Sequence, residues 1–349
     1  MQSPSDSTMD LLRKGGCWVP SPLALGQRRR MREAWQRLLT LYYIRSGART
    51  VIPGAHTGEF AGGDLQLYGR WLGLIREMTE EYGSDMFLMA AVGGEKARRQ
   101  TELAAREGYD LVMVAPTAFG GLDDDGVVGL MQDLAGIIPV FAFELQRAIP
   151  GSRPYGLDLW QRLFRFVVGA KGASFDTYRS QLMLEAAARS SRRGSLILAT
   201  GNDDRIVRDL GSVFPFRVDG GWGRVGYRAG LLGHFATDTR SAVHWSRHVM
   251  ASRDGSDWKL PLPEDELAHL VNMCNGALFD ALNDFENSVW GVKCRLTQLG
   301  LLPEPVCFEE EGRSGMSEDI ERAYAAHELL NDAAFVNDRL SGWKREVGL

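Results

Sequence analysis

Short apolar runs alternate with longer amphipathic stretches from about residue 16 to residue 252. The apolar runs fall at 17–21, 49–54, 86–92, 111–116, 138–145, 166–171, 195–200 and 216–220. Between them, apolar positions recur at helical spacing over 27–46, 64–82, 95–107, 124–135, 157–164, 177–191 and 204–210, with a less regular region at 224–250. The runs LVMVAP and SLILAT are apolar throughout. Strands buried on both faces, as in a parallel sheet, read this way, whereas one-sided strands alternate. Eight strand–helix alternations predict an α/β fold of the (β/α)8 TIM-barrel type, with a doubly wound open sheet as the competing arrangement. The strand at 17–21 has the poorest pattern, because Pro20 and Pro22 limit its ladder.

The pattern changes near residue 252. SRDGSDWKLPLPEDE is turn-rich, and helical patterns follow at 264–282, 284–299 and 316–337. Ser317, Glu318 and Asp319 give the last one a polar start, and Pro303 and Pro305 break the segment before it. The expected organisation is a flexible terminus over 1–15, a barrel over 16–252 and a helical C-terminal extension over 253–349. There is no internal repeat. EEEGR at 309–313 reads as a solvated loop.

Composition adds exclusions. The chain has 349 residues, 44% of them hydrophobic, and a formal net charge of −5. That length supports a sizeable core, and the apolar share excludes wholesale disorder. The acidic balance argues against nucleic-acid binding, which needs a basic surface. The basic residues are nearly all arginine: the lysines are Lys14, Lys96, Lys171, Lys259, Lys293 and Lys344, a short roll of candidate catalytic amines. Cys17, Cys274, Cys294 and Cys307 are scattered and form no disulfide framework. The polar start lacks a secretory h-region, and no apolar run is long enough to span a membrane, so a cytoplasmic protein without membrane contact is expected.

Two segments carry candidate chemistry. In FRFVVGAKGASFD, residues 164–176, Lys171 ends an otherwise apolar strand. Active sites of barrels sit at the C-terminal ends of the strands. A desolvated amine loses its proton and becomes a nucleophile able to form a Schiff base with a ketone. A lysine that snorkels from a strand end to meet an acid leaves the same pattern. In VIPGAHTGEF, residues 51–60, Gly54 and Gly58 bracket a tight turn that offers N–H groups and the Thr57 hydroxyl to an anion. His56 is a candidate acid or base there, and Glu59 a residue that holds the loop by hydrogen bonding.

Together these segments resemble the dihydrodipicolinate synthase / N-acetylneuraminate lyase family of class I aldolases. GAHTGEF is similar to the family's GTTGE turn, VVGAKGAS to its lysine strand, and IPVFAFELQ at 138–146 to its PVxxYNxP strand. GNDD at 201–204 resembles the Gly-Asp turn after the next strand. The motifs keep the family's order and spacing. The resemblance implies that Lys171 forms the Schiff base with pyruvate or another 2-oxo acid. It implies that Thr57, with Gly58 and neighbouring amides, holds the carboxylate, and that Asn202 borders the lysine. The second substrate would be aldehyde-type, the reaction aldol cleavage, condensation or a related dehydration, and the assembly a homodimer or homotetramer. No metal or organic cofactor is required.

Two departures stand out. The family's proton-relaying tyrosine falls on Phe143, which carries no proton. His56, which stands at the family's first threonine, is then the first candidate for proton transfer and Glu144 the second, the latter only if its strand is bulged. The arginine expected after this strand is out of register, which leaves Arg147 and Arg153 as candidates for a substrate carboxylate. A catalytically silent binding protein on the same barrel is the alternative these departures motivate.

Three further patterns carry less. GWGRVG at 221–226 matches a dinucleotide fingerprint, but Gly230 and Gly233 break the following helix and Asp238 comes too early, so it reads as the end of the eighth barrel strand. His244 and His248 are spaced as a helical metal pair without an evident third ligand. QRRRMR at 27–32 reads as a solvated helix face.

Overall fold

The structure is a computed structural model that describes residues 2–147, 149–257 and 262–349. Lys259 and the rest of 258–261, within the turn-rich linker, lie outside the described residues.

The strands are β1 (Gly16–Pro20), β2 (Thr50–Ile52), β3 (Met89–Val92), β4 (Leu111–Val114), β5 (Val140–Leu145), β6 (Gly169–Ala173), β7 (Ile197–Thr200), β8 (Phe214–Val218), β9 (Gly221–Val225) and β10 (Ala229–Gly230). The order β2-β1-β10-β7-β6-β5-β4-β3 is parallel throughout. Hydrogen bonds from Phe87 N–H to Arg49 O (3.2 Å) and from Ala91 N–H to Pro53 O (2.9 Å) join the two end strands, so the ring closes as a (β/α)8 barrel. The helices are α1 (Asp6–Lys14), α2 (Glu33–Ser46), α3 (Leu65–Tyr82), α4 (Ala97–Arg106), α5 (Asp124–Ile137), α6 (Leu157–Leu163), α7 (Thr177–Arg189), α8 (Ile206–Gly211) and α9 (Thr239–Arg253). The C-terminal extension adds α10 (Glu264–Leu278), α11 (Ser288–Gln298), α12 (Met316–Tyr324), α13 (Ala333–Asn337) and α14 (Leu340–Glu346).

The unbroken apolar runs have a simple cause. Alternate residues of each strand face opposite sides, and here both sides are packed. Trp18, Ile52, Met89, Leu111, Met113, Phe141, Phe143, Ile197 and Ala199 fill the barrel interior. Val19, Val51, Val92, Val112, Val140, Ala170 and Leu198 face the helices. The base of the barrel is closed by Trp18, whose ring meets Phe87 and Phe141 edge-on at 5.3 and 5.7 Å. Leu12, fully buried in the same cluster, comes from α1. Residues 6–14, expected within a flexible terminus, are thus a helix capped by Ser5 and packed under the barrel.

The eighth barrel strand corrects the sequence reading. The run expected at 216–220 belongs instead to an antiparallel hairpin, β8–β9, outside the barrel, and GWGRVG forms its second strand rather than a barrel-strand end. The barrel is completed by β10, only two residues long, paired to β1 and β7. The third C-terminal helix is also not continuous: it stops at Tyr324 and resumes as α13 and α14.

The C-terminal helices share one apolar cluster with the barrel's outer layer. A buried polar network pins them there. Arg295 pairs bidentately with Asp238 at 2.8 and 2.9 Å. The Asp332 carboxylate accepts from Tyr42 Oη, Arg240 N–H, Ser241 N–H and Ser241 Oγ. Among the described residues no helix is long and apolar enough to cross a membrane, and no cluster of three metal-ligating side chains occurs. His244 and His248 lie on α9 with ring centres 4.4 Å apart and tilted by 60°, and among the described residues no third ligand joins them.

Candidate active site

A cavity opens at the C-terminal ends of the strands. Lys171, on β6, lies against Phe143 of β5 and Ala199 of β7 in the ladder register. All three side chains point into the barrel. The lysine is 7% exposed, and its Nζ sits 4.2 Å from the centre of the Phe143 ring. Among the described residues no acid pairs with it and no acceptor meets Nζ. Burial without compensation disfavours the ammonium, and the pKa falls from the ordinary lysine range to about 7. The stem runs past Gly201, where a Cβ would stand 2.4 Å from Lys171 Cε and 2.7 Å from Leu231 O. Glycine at 201 is what leaves the lysine room.

The turn after β2 supplies the opposite wall. Gly54 has φ +79°, and a Cβ there would meet Ala91 O at 2.5 Å, so the chain turns tightly against β3. His56 and Thr57 open a 3-10 turn and both line the cavity. Neither of their N–H groups finds an acceptor among the described residues. Burial, and then the Lys171 charge, lower the His56 pKa to about 4, so the imidazole is neutral at pH 7. Gly58 donates to Ala55 O at 2.9 Å and is packed against Trp71, which makes it a shaping residue rather than a contact. Glu59 anchors the turn. Its carboxylate takes Lys293 Nζ at 2.6 Å and Phe308 N–H at 2.6 Å, tying the loop to α11 and the chain beyond it.

Four expected site residues are elsewhere. Glu144 follows Phe143 on a regular strand and so faces the helix layer, where it accepts from Tyr155 N–H at 3.1 Å. Arg153 bonds Asp124 and the Leu122 carbonyl at the start of α5. Arg147 is exposed and does not line the cavity; its neighbours Gln146 and Ile149 do. Asn202 is fully buried below the cavity, donating to Ser180 Oγ and Asp209 and accepting from Phe175 N–H.

The position of Glu144 gives a prediction. Burial raises its pKa from 4.5 to about 7, and its Oε2 has no partner. A carboxyl raised by folding stabilises below the unfolded pKa and loses that stability as pH rises through the folded one. Glu144→Gln should therefore raise the melting temperature at pH 8, with a gain of at most about 2–3 kcal/mol that vanishes near pH 4.5. Turnover should change by less than about threefold, which steady-state assay would check.

Several cavity residues were not anticipated. Asp203, beside the GNDD turn's Asn202, lines the cavity with its pKa raised to about 7 by burial and then by the Asp204 charge. Phe175 follows β6. Phe279, Phe285, Ser288, Val289 and Val292 come from the C-terminal extension and roof the opening.

No family model matches the chain. Among curated proteins it is 29% identical over 145 residues to the acetyl-coenzyme A carboxylase carboxyl transferase subunit beta of Rubrobacter xylanophilus. The match takes in 42% of this chain and 52% of that protein, so the chain spans about half the length of the curated relative. Among solved structures, dihydrodipicolinate synthase from Bacteroides thetaiotaomicron superposes with a TM-score of 0.71 at 14% identity, covering 89% of this chain and 98% of that one. The chloride-inhibited dihydrodipicolinate synthase of Acinetobacter baumannii, complexed with pyruvate, gives 0.70 at 16% identity over 92% and 99%. N-acetylneuraminate lyase from Mycoplasma synoviae gives 0.66 at 12% over 90% and 98%. At these identities the shared property is the fold: the chain has the barrel and C-terminal helices of the dihydrodipicolinate synthases and N-acetylneuraminate lyases.

Proposed function

We propose that this chain is a Schiff-base-forming lyase that acts on pyruvate or another 2-oxo acid. The observation that carries the reading is Lys171: an unpaired, buried amine with a pKa near 7 at the mouth of a barrel. With burial lowering the pKa toward neutrality, the neutral amine is readily populated near pH 7, and the neutral form is the nucleophile. Fold likeness to pyruvate-handling and sialate-cleaving enzymes supports the assignment as analogy.

The chemistry follows from the residues in place. The Lys171 nitrogen attacks C2 of the 2-oxo acid, and loss of water gives an iminium. The carboxylate lies at the free N–H groups of His56 and Thr57 and the Thr57 hydroxyl, which supply donors for an anion. The neutral imidazole of His56 removes a proton from C3, the C–H pair becomes the C2–C3 double bond, and the C=N π pair moves onto nitrogen, which loses its positive charge. The resulting enamine adds to an aldehyde carbon; the reverse sequence cleaves. His56 thereby takes the part that the phenylalanine at 143 cannot.

The test is the pH dependence of imine formation. The rate constant for pyruvate should rise about tenfold per pH unit below pH 7 and level off above it, because only the free amine reacts. Stopped-flow mixing with pyruvate would measure it. An inflection near the ordinary lysine pKa, about 10, would contradict an activated amine.

A further inference from the structure

The roof of the cavity indicates what the enamine meets. Phe175 and Phe285 pack against each other at the opening, ring centres 5.3 Å apart and inclined by 42°, and form one aromatic wall. Both have left-handed backbones, φ +52° and +64°. A bulky residue adopts that conformation only where its surroundings impose it, and such strain concentrates at ligand clamps. Buried polar groups impose it here. Phe175 N–H donates to Asn202 Oδ1 at 3.1 Å, and Asn202 is itself fixed by Ser180 and Asp209. Phe285 N–H donates to Asp280 O, and the Asp280 carboxylate is held by Asn283, Asn287 and Arg313. Asn202, expected to border the lysine, instead positions an aromatic ring.

The rest of the roof is apolar: Ile149, Phe279, Val289 and Val292. Lys171 is the only cationic side chain among the described lining residues, and it is committed to the 2-oxo acid. A second carboxylate or a phosphate would find no cation there and would face Asp203. One polar group of the roof lacks a partner: Ser288 Oγ, on a residue 8% exposed at the start of α11. A roof apolar but for this hydroxyl, over a cavity whose other polar lining besides Lys171 is His56, Thr57, Gln146 and Asp203, suits a molecule with one polar head and an apolar body.

We infer that the second substrate is an aldehyde with an aryl-sized apolar tail, packed against the Phe175–Phe285 ring pair with its oxygen toward Ser288. The inference rests on the Schiff-base reading above. In the step itself, C3 of the enamine forms a bond to the aldehyde carbon. The carbonyl π pair moves to oxygen, which takes back the proton held by His56 while Ser288 donates a hydrogen bond. Water then hydrolyses the iminium, releasing a 4-hydroxy-2-oxo acid and the free amine.

The test gives the protein pyruvate with benzaldehyde, glyceraldehyde or succinic semialdehyde, and compares kcat/KM for product by mass spectrometry. Benzaldehyde should lead by at least about tenfold, and Phe285→Ala should erase about tenfold of that lead. Phe175→Ala gives the same readout from the other ring of the pair, and the unmutated panel decides should both variants misfold. A lead for the polyhydroxylated or anionic aldehyde, no turnover of benzaldehyde, or a lead that survives both variants would overturn the inference. Borohydride trapping of pyruvate on the same preparation separates the two levels. An adduct on Lys171 with the wrong aldehyde preference defeats the aryl-aldehyde inference alone, whereas no adduct defeats the Schiff-base reading and that inference with it.

Discussion

Replacing Lys171 with methionine is expected to abolish turnover, by at least about 10^4-fold, while making the fold more stable. The first effect follows because no other amine lines the cavity among the described residues. Water-mediated enolisation of a 2-oxo acid has no electron sink to replace the iminium. The second effect follows from the depressed pKa. A lysine whose folded pKa lies near 7, below its unfolded 10.5, binds fewer protons folded than unfolded between those values. Stability therefore rises with pH across that window, and the cost of burying the amine is greatest at and below pH 7. Methionine has a similar shape and no charge to desolvate. Its advantage should reach a few kcal/mol at pH 7 and fade toward pH 10.5, as denaturant melts at several pH values would show. A dead and stabilised variant is the signature of a residue kept for chemistry at the expense of the fold. A dead and destabilised one would mark a structural lysine.

Arg295→Met should cost on the order of 3–5 kcal/mol and lower the melting temperature by roughly 5–10 °C. The guanidinium is the bidentate partner of Asp238, which is completely buried. Asp332 lies alongside and donates its N–H to Asp238 Oδ1 at 2.8 Å. Burial and the Asp238 charge already push the Asp332 carboxyl above the usual carboxylate range. Without the arginine, two buried acids would face each other uncompensated. The loss should be partly recovered by Asp238→Asn in the Arg295→Met background, because the orphaned charge, and not the missing contact, dominates. Because this network holds α11, and α11 carries Ser288, Val289 and Val292 of the roof, the loss should also raise KM for the aldehyde. Calorimetry on the single and double variants measures the coupling.

How far the site was legible depended on where each residue lies. Lys171, His56 and Thr57 line one cavity: Lys171 faces inward by the period-two alternation of its strand, and His56 and Thr57 lie on the 3-10 turn that follows β2. The same rule removes Glu144: its strand carries no bulge, so the residue after Phe143 must face outward. The eighth strand escaped for a different reason. Ala229–Gly230 is too short to leave an apolar run, whereas FPFRV at 214–218 has the alternating exposure of a half-solvated antiparallel strand. That alternation, in a chain whose barrel strands lack it, was the available signal. Ser288 and Phe285 were not legible, because the docking of the C-terminal helices over the mouth depends on contacts such as Glu59–Lys293, which join positions far apart in the chain. Asp203 was within reach, one residue beyond the Asn202 that the turn motif singled out.

The central claim is that Lys171 forms a covalent imine, and borohydride reduction in the presence of pyruvate, followed by peptide mass spectrometry, tests it most directly. One reduced pyruvyl adduct is expected, on the peptide that carries Lys171 and absent from Lys171→Met. A folded protein that shows no adduct with pyruvate or a panel of other 2-oxo acids, or an adduct only on exposed lysines such as Lys14, would contradict it.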